Sequence, residues 1–325
     1  MRLAFTICTL SHLAQAKTMA DSLTKHNPDY QVVIGLFDKI NQRDVSSVNN
    51  YTLIEINGEQ IPGFEGLFAR YTPFELSCLA KPYLANYLLK QYPSVQKLLY
   101  FDSDILFFNS VTSIEEDLEQ HNIVLTPHVT QTVNDEKTPR LRNFLNAGLY
   151  NGGFFAIRRS DEAADFLAWW QDRVWHEGYL NFAQGMFVDQ LWLNYVPLFY
   201  PNALISRNPG YNVAYWNMHE RQINRKDEQF WVNQTEPLVF FHFSGYQSAA
   251  PTHLSVHQDR YSFESRPDVK PLFEVYHQSL VRNGDPAFKN LANAYGHPSY
   301  FYRKSRALRR IVVAGCYRLL RSLNA

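Results

Sequence analysis

The chain has 325 residues, 46% of them hydrophobic and 19% charged, with 31 basic and 31 acidic side chains. This composition fills a full-sized core and excludes a disordered chain, and a net charge of zero excludes a general phosphate-neutralising nucleic-acid binder. Three scattered cysteines, Cys8, Cys78 and Cys316, make neither a disulfide framework nor a thiolate metal site, which fits a reducing, cytoplasmic compartment. No run of 18 apolar residues occurs, so no spanning helix is expected, and Met1–Leu10 is too short an apolar run for a signal peptide.

In chain order, Leu3–Thr9 has the pattern of a buried strand and His12–His26 that of a helix, with Ser11 available as its N-cap and Pro28 beyond its end. Gln31–Phe37 and Tyr51–Ile56 read as strands. A strand–helix–strand rhythm of this kind predicts a parallel α/β sheet. Phe74–Gln91 predicts a long helix closed by Pro93, Lys97–Phe101 a short strand, Ile123–Thr126 another, and Leu149–Ile157 a strand holding a glycine pair. Asn134–Asn143 is polar and charged and reads as a mobile loop. Asp161–Trp175 and Gln184–Tyr195 read as helices, and Leu238–Phe243 as a late strand. The neutral total hides a division: no acidic residue follows Asp285, while eight basic ones do, so the body carries an acidic excess and the tail a basic one. Residues 1–270 are expected to form one domain and 271–325 a basic, helical C-terminal extension.

The strongest chemical signal is Lys97-Leu-Leu-Tyr-Phe-Asp-Ser-Asp104. An apolar strand delivers Asp102 and Asp104 to its C-terminal end, where open α/β sheets bind ligands. Two such carboxylates repel unless a cation intervenes, and a divalent ion bridging to phosphate oxygens would resolve the conflict. The alternative is that they cap the next turn. In Val239-Phe-Phe-His-Phe-Ser-Gly245, His242 ends an apolar strand, as a third metal ligand or as a core histidine bonded to backbone. A histidine beside two carboxylates favours Mn²⁺ over Mg²⁺. In Leu149-Tyr-Asn-Gly-Gly-Phe154, the glycines either admit a close ligand beside Asn151 or form a β-bulge. Asp189 and Gln190 interrupt a mostly apolar stretch and need partners, whether a sugar, the local backbone or, for Asp189, a helix N-terminus. Lys81 reads either as an ordinary solvent lysine or as a phosphate contact.

Taken in order, Asp-x-Asp, Asn-Gly-Gly, Asp-Gln and His-Phe-Ser-Gly resemble glycosyltransferase family 8, over roughly residues 1–246. The resemblance implies a GT-A fold, which is a Rossmann-like open, mostly parallel sheet with flanking helices. It also implies a UDP-sugar donor (often UDP-galactose or UDP-glucose), a Mn²⁺ ion and retention at the anomeric carbon. By position it implies Asp102, Asp104 and His242 as metal ligands, with Mg²⁺ as the other candidate ion. It implies donor contacts from Thr6, Thr9, Lys81, Asp102, Ser103, Asn151, Gly152, Asn212 and Gly245. Gln190 would face the donor sugar, and Asp189 would be the carboxylate available to a covalent route. Where the family follows His-x-x-Gly with Lys-Pro-Trp, this chain reads Tyr246-Gln-Ser-Ala-Ala-Pro251, so the lysine that holds the diphosphate is missing. Lys81, Arg207 or a basic residue of the tail would have to replace it.

The competing classes are a non-catalytic carbohydrate-binding or scaffold protein and another metal-dependent phosphoryl or nucleotidyl transferase. Residues 5–12 hold no aspartate and no glycine-rich basic loop, which counts against the latter. As a helix, Ser305–Leu323 would put Leu308, Val312, Cys316, Leu319, Leu320 and Leu323 on one arc, with Arg306, Arg310 and Arg321 opposite. Residues 303–323 therefore suit an anionic membrane surface or the acidic body of the chain itself. A peripheral membrane position would match a lipid-linked or other surface-polysaccharide glycan acceptor.

Overall fold

The computed structural model describes residues 1–41 and 43–295, together with 308, 311, 312, 315 and 316. The chain begins with β1 (Arg2–Cys8), α1 (Leu13–His26), β2 (Tyr30–Leu36) and β3 (Thr52–Glu55). Then come α2 (Pro73–Gln91), β4 (Lys97–Phe101), β5 (Ile105–Phe107), α3 (Thr112–Gln120), β6 (Ile123–Pro127), α4 (Leu141–Ala147) and β7 (Tyr150–Arg158). They are followed by α5 (Asp161–Glu177), β8 (Leu180–Asn181), β9 (Met186–Phe187), α6 (Val196–Phe199), β10 (Ala203–Ile205), β11 (Ile223–Lys226), β12 (Gln229–Val232), β13 (Glu236–Pro237) and β14 (Phe240–His242). The last helices are α7 (Lys270–Arg282) and α8 (Asp285–Phe288).

Seven strands form one open sheet in the order β10-β6-β7-β4-β1-β2-β3. β7 runs antiparallel to both its neighbours, and the other pairs are parallel. Alternation along β1 explains the layers. Leu3, Phe5 and Ile7 pack with α2 and α5 on one face, while Ala4 packs with α1 and α3 on the other. From β1 the chain proceeds outward to β2 and β3 on one side, then returns to place β4 on the other. The carboxyl ends of β1 and β4 therefore meet at a topological switch point, where such sheets leave a crevice.

Helix α2 starts sharply. Thr72 and Glu75 form a reciprocal capping box with Pro73 at the first position, and Leu180 N donates to the second Glu75 oxygen at 2.7 Å. β5 pairs antiparallel with β14, setting His242 opposite Ile105. α7, at the start of the expected extension, is packed onto the body through Leu272, Phe273, Tyr276 and Leu280, among Phe241 and Phe243.

Three local expectations are corrected. Gln184–Tyr195 is not a helix but the end of a turn, strand β9 and a 3-10 turn over Gln190–Tyr195. Gly185 (φ +66°) and Val188 (φ +41°) take left-handed backbone there, which an α-helix cannot contain. Ser11 does not cap α1; its hydroxyl bonds Thr9 Oγ1 and His12 Nδ1, both at 2.9 Å, within a 3-10 turn over Leu10–His12. The Asn134–Asn143 loop is tied down, because Arg260 forks onto Asp135 at 2.8 and 2.9 Å and reaches the carbonyls of Lys137 and Pro139.

The tail expectation over 303–323 falls almost wholly outside the described residues; Leu308, Ile311 and Val312 are helical and exposed. Among the described residues no helix is long and apolar enough to cross a membrane. All three cysteines are free, and burial pushes the Cys8 and Cys78 thiols well above the usual thiol range.

Candidate active site

Just past the end of β4, a turn carries Asp102, Ser103 and Asp104. The β5–β14 ribbon brings His242 against it: Nε2 lies 3.0 Å from Asp104 Oδ1 and 4.0 Å from Asp102 Oδ2. One ligand atom from each of the three residues falls within 4.8 Å of the others. Burial drives the His242 pKa down, but Asp104 and Asp102 outweigh it and raise it. For Asp104, burial raises the pKa and the imidazole outweighs that effect, holding the carboxyl low.

A hydrogen-bond network fixes which His242 nitrogen faces the carboxylates. Gln190 Nε2 donates to the Ala147 carbonyl at 2.8 Å, so Oε1 is the atom that accepts from Gly152 N at 2.9 Å. That oxygen also accepts from Asn151 Nδ2 at 3.3 Å. Asn151 Oδ1 therefore accepts from Gly153 N at 3.0 Å and from Asn212 Nδ2 at 2.9 Å. Asn212 Nδ2 also donates to Thr126 Oγ1 at 2.9 Å, so its oxygen faces His242 Nδ1 at 3.1 Å, and that nitrogen must carry a proton. Nε2 is left to point at the two aspartates, as a metal-binding imidazole requires. The network ends on backbone groups, whose donor and acceptor roles are unambiguous.

His128 belongs to the same network, taking the other contact of Asn151 Nδ2 at 3.2 Å. Burial pushes its pKa down to about 4, with His242 adding to the effect. The unfolded chain takes up a proton near pH 6.5 that the folded one refuses, so this group costs stability as pH falls from 6.5 to about 4. The full contribution is about 3 kcal/mol. Urea unfolding of wild type and His128→Gln should show their stability difference narrowing over that window. A difference independent of pH would refute the assignment.

Lys81, on α2, is buried beneath the glycine pair. Its ammonium donates to Gly152 O at 2.9 Å and lies 3.2 Å from Asp102 Oδ1 and 3.3 Å from Asp189 Oδ2. Burial alone would lower its pKa, but the two carboxylates outweigh it and hold it well above the usual lysine value. Burial raises the Asp189 pKa, which one ammonium shared with Asp102 only partly offsets. Asp189 makes no side-chain N-cap bond to the following turn. Tyr100 OH donates to Asp102 Oδ1 in a short contact.

The glycine pair lies at a strand irregularity and at a close approach to the cluster. The register between β6 and β7 slips across Leu125 and Pro127, opposite these residues, so a strand irregularity is present. The absence of side chains is also required: a Cβ on Gly153 would stand 2.4 Å from His242 Cε1 and 2.8 Å from Asp102 Oδ2. Gly153 thus opens the cradle between the aspartates and the histidine.

Asp102 and Asp104 open onto a cavity of about 840 Å³ along the ends of β1 and β4. Of the predicted donor-site residues, Thr9, Lys81, Ser103 and Gly245 also line it. Asn151, Asp189, Gln190 and Asn212 are buried; Gln190, Asn151 and Asn212 link Gly152 to His242 by hydrogen bonds, and Asp189 pairs with Lys81. Thr6 is fully buried, its hydroxyl without a hydrogen-bond partner. Sequence reasoning missed Tyr100, His12, Ser248 and Asn293 at the cavity, although Tyr100 and Ser248 lie inside stretches quoted above, and it missed Thr126 and His128 in the network around Asn151.

An open α/β sheet with an Asp-x-Asp turn and a histidine at its carboxyl edge, beside a cavity of this size, defines a transferase of GT-A fold. Residues 5–247 match the model of glycosyl transferase family 8, and the chain belongs to that family of glycosyltransferases. Two relatives come from Bacillus subtilis (strain 168). The uncharacterized protein YfnF is 27% identical over 222 residues, covering 66% of this chain and 71% of that one. The uncharacterized protein YfnD is 22% identical over 303 residues, covering 89% and 93%. Among solved structures, the galactosyltransferase LgtC in complex with donor and acceptor sugar analogs superposes with a TM-score of 0.50 at 16% identity, over 87% of this chain and 96% of that one, a likeness of fold.

Proposed function

We propose that this glycosyltransferase moves a hexose, galactose or glucose, from a UDP-sugar to a glycan acceptor, with Mn²⁺ as its cofactor and with retention of configuration. The observation that carries the reading is the Asp102–Asp104–His242 cluster at the mouth of the cavity. Its donor set suits a divalent ion: two carboxylates that repel each other, an imidazole whose Nε2 is directed at them, and a glycine cradle that keeps the space between them open. When bound, the ion would neutralise charge on the diphosphate leaving group.

The chain's own residues do the rest. Lys81 and Tyr100 orient Asp102. Asn212 holds His242 in one tautomer. Gln190 Oε1 accepts from Gly152 N, and Asp189 holds Lys81, which donates to the Gly152 carbonyl, so both fix the backbone of β7 beside the cluster. A donor screen reading released UDP, with and without Mn²⁺, tests the proposal. UDP release from UDP-galactose or UDP-glucose that disappears with EDTA is expected. Release indifferent to EDTA, or none from any UDP-sugar, would overturn it.

A further inference from the structure

The donor cavity has a charge deficit. Asp102 and Asp104 cancel one divalent cation, and Lys81 is spent on Asp102, Asp189 and the Gly152 carbonyl. A nucleoside diphosphate sugar brings two negative charges, and a third develops as the sugar–phosphate bond breaks. The wall over Gly245–Ala249 carries no basic side chain. Two histidines line the cavity and both are held low. Burial lowers His12 and His257, and for His12 the neighbouring Lys289 adds to the effect.

One more cation reaches this space. Lys289 lines the same cavity as Asp102 and Asp104, and among the described residues it has no ion-pair partner. It sits where α8 ends, on a segment fastened at several points. Asn283 Nδ2 donates to Thr18 Oγ1 at 2.9 Å, and Ser248 bonds the buried Asp285. Beyond Lys289, Ala294 N donates to Asp38 Oδ1 at 2.8 Å and Asn293 Nδ2 to the Phe37 carbonyl at 3.0 Å. Tyr295 then stacks on Phe68 with ring centres 4.6 Å apart. Asp38 is fully buried at the end of β2, and its Oδ2 also accepts from Leu10 N at 3.2 Å. The segment from 283 to 295 is therefore strapped across the carboxyl ends of β1 and β2, with the lysine at the cavity.

We propose that Lys289, carried on this C-terminal strap, is the side chain that pairs with the donor diphosphate. The proposal rests on the reading of the donor as a nucleoside diphosphate sugar. It gives the segment beyond the family-matched residues a part in the active site. It also accounts for a His-Phe-Ser-Gly motif that is followed by no lysine: the charge arrives from another part of the chain.

The test is calorimetric titration of the full chain and its Lys289→Met and Lys289→Arg variants with Mn²⁺ plus pyrophosphate, Mn²⁺ plus UDP, and uridine alone. Lys289→Met should weaken pyrophosphate and UDP about 10-fold or more, the worth of one charge-assisted contact. Uridine binding should not change, and Lys289→Arg should recover most of the loss. Equal thermal midpoints show that all three proteins are folded. Pyrophosphate binding to Lys289→Met at wild-type strength, or no pyrophosphate binding to wild type, overturns the proposal. Failure of the donor reading looks different: UDP then binds wild type no better than pyrophosphate, while the lysine is still judged on pyrophosphate.

Discussion

Replacing Asp104 by alanine should lower the rate of sugar transfer by about 10³ or more while leaving the fold intact. The carboxylate is part of a three-residue cluster, with Oδ1 3.0 Å from His242 Nε2. Removing it leaves Asp102 and one imidazole, too few ligands to hold a divalent ion against water. Loss of a single electrostatic contact to a developing charge costs 10² to 10³ in rate, and here the whole charge-bearing centre is weakened. The substitution removes a repulsion between two carboxylates but also the 3.0 Å partner of the buried His242, so the thermal midpoint should fall while the protein stays folded. Turnover at saturating Mn²⁺, Mn²⁺ affinity and the thermal midpoint measure the three parts. Turnover within a factor of ten of wild type would remove the metal centre from the reaction.

The second large effect is on stability. Lys81→Met should destabilise the protein by about 3–5 kcal/mol, the usual cost of leaving a buried charge without its partner. The ammonium is buried against Asp102 and Asp189 at 3.2 and 3.3 Å, so its loss strands two carboxylates at once. The deficit should shrink on acidification. Burial already raises the Asp189 pKa, so the folded variant takes up a proton before the unfolded chain does, and protonation relieves the penalty. Urea unfolding at pH 7 and near pH 4 reads both expectations. A variant as stable as wild type at pH 7 would mean that the buried cation compensates nothing.

These two residues mark different degrees of legibility in the sequence. The role of Asp104 is local. A short apolar strand ending in two acids can be read from eight consecutive residues, because strand and turn are set by near neighbours. Lys81 lies on a long helix buried along much of its length, and its local sequence read first as an ordinary solvent lysine, with a phosphate contact as the other reading. The structure buries it beneath β7 at the cavity wall, paired with carboxylates from two distant segments. Asn151, Asn212 and Gln190 show the same limit. Their polarity signalled a site, yet the direction of each amide follows from hydrogen bonds that begin at Ala147 and end at His242.

By itself the sequence determined the α/β architecture, the strand that presents Asp102 and Asp104, the histidine that ends β14, and the family that these motifs mark. Hydrophobic periodicity and turn chemistry encode such features within a few residues. Only the tertiary structure decided which side chains face the cavity, which nitrogen of His242 is protonated, and that the strap from 283 to 295 brings Lys289 to the carboxyl ends of the sheet. These depend on contacts between segments up to some two hundred and fifty residues apart, and no local pattern records a contact whose two halves acquire meaning only when packing joins them.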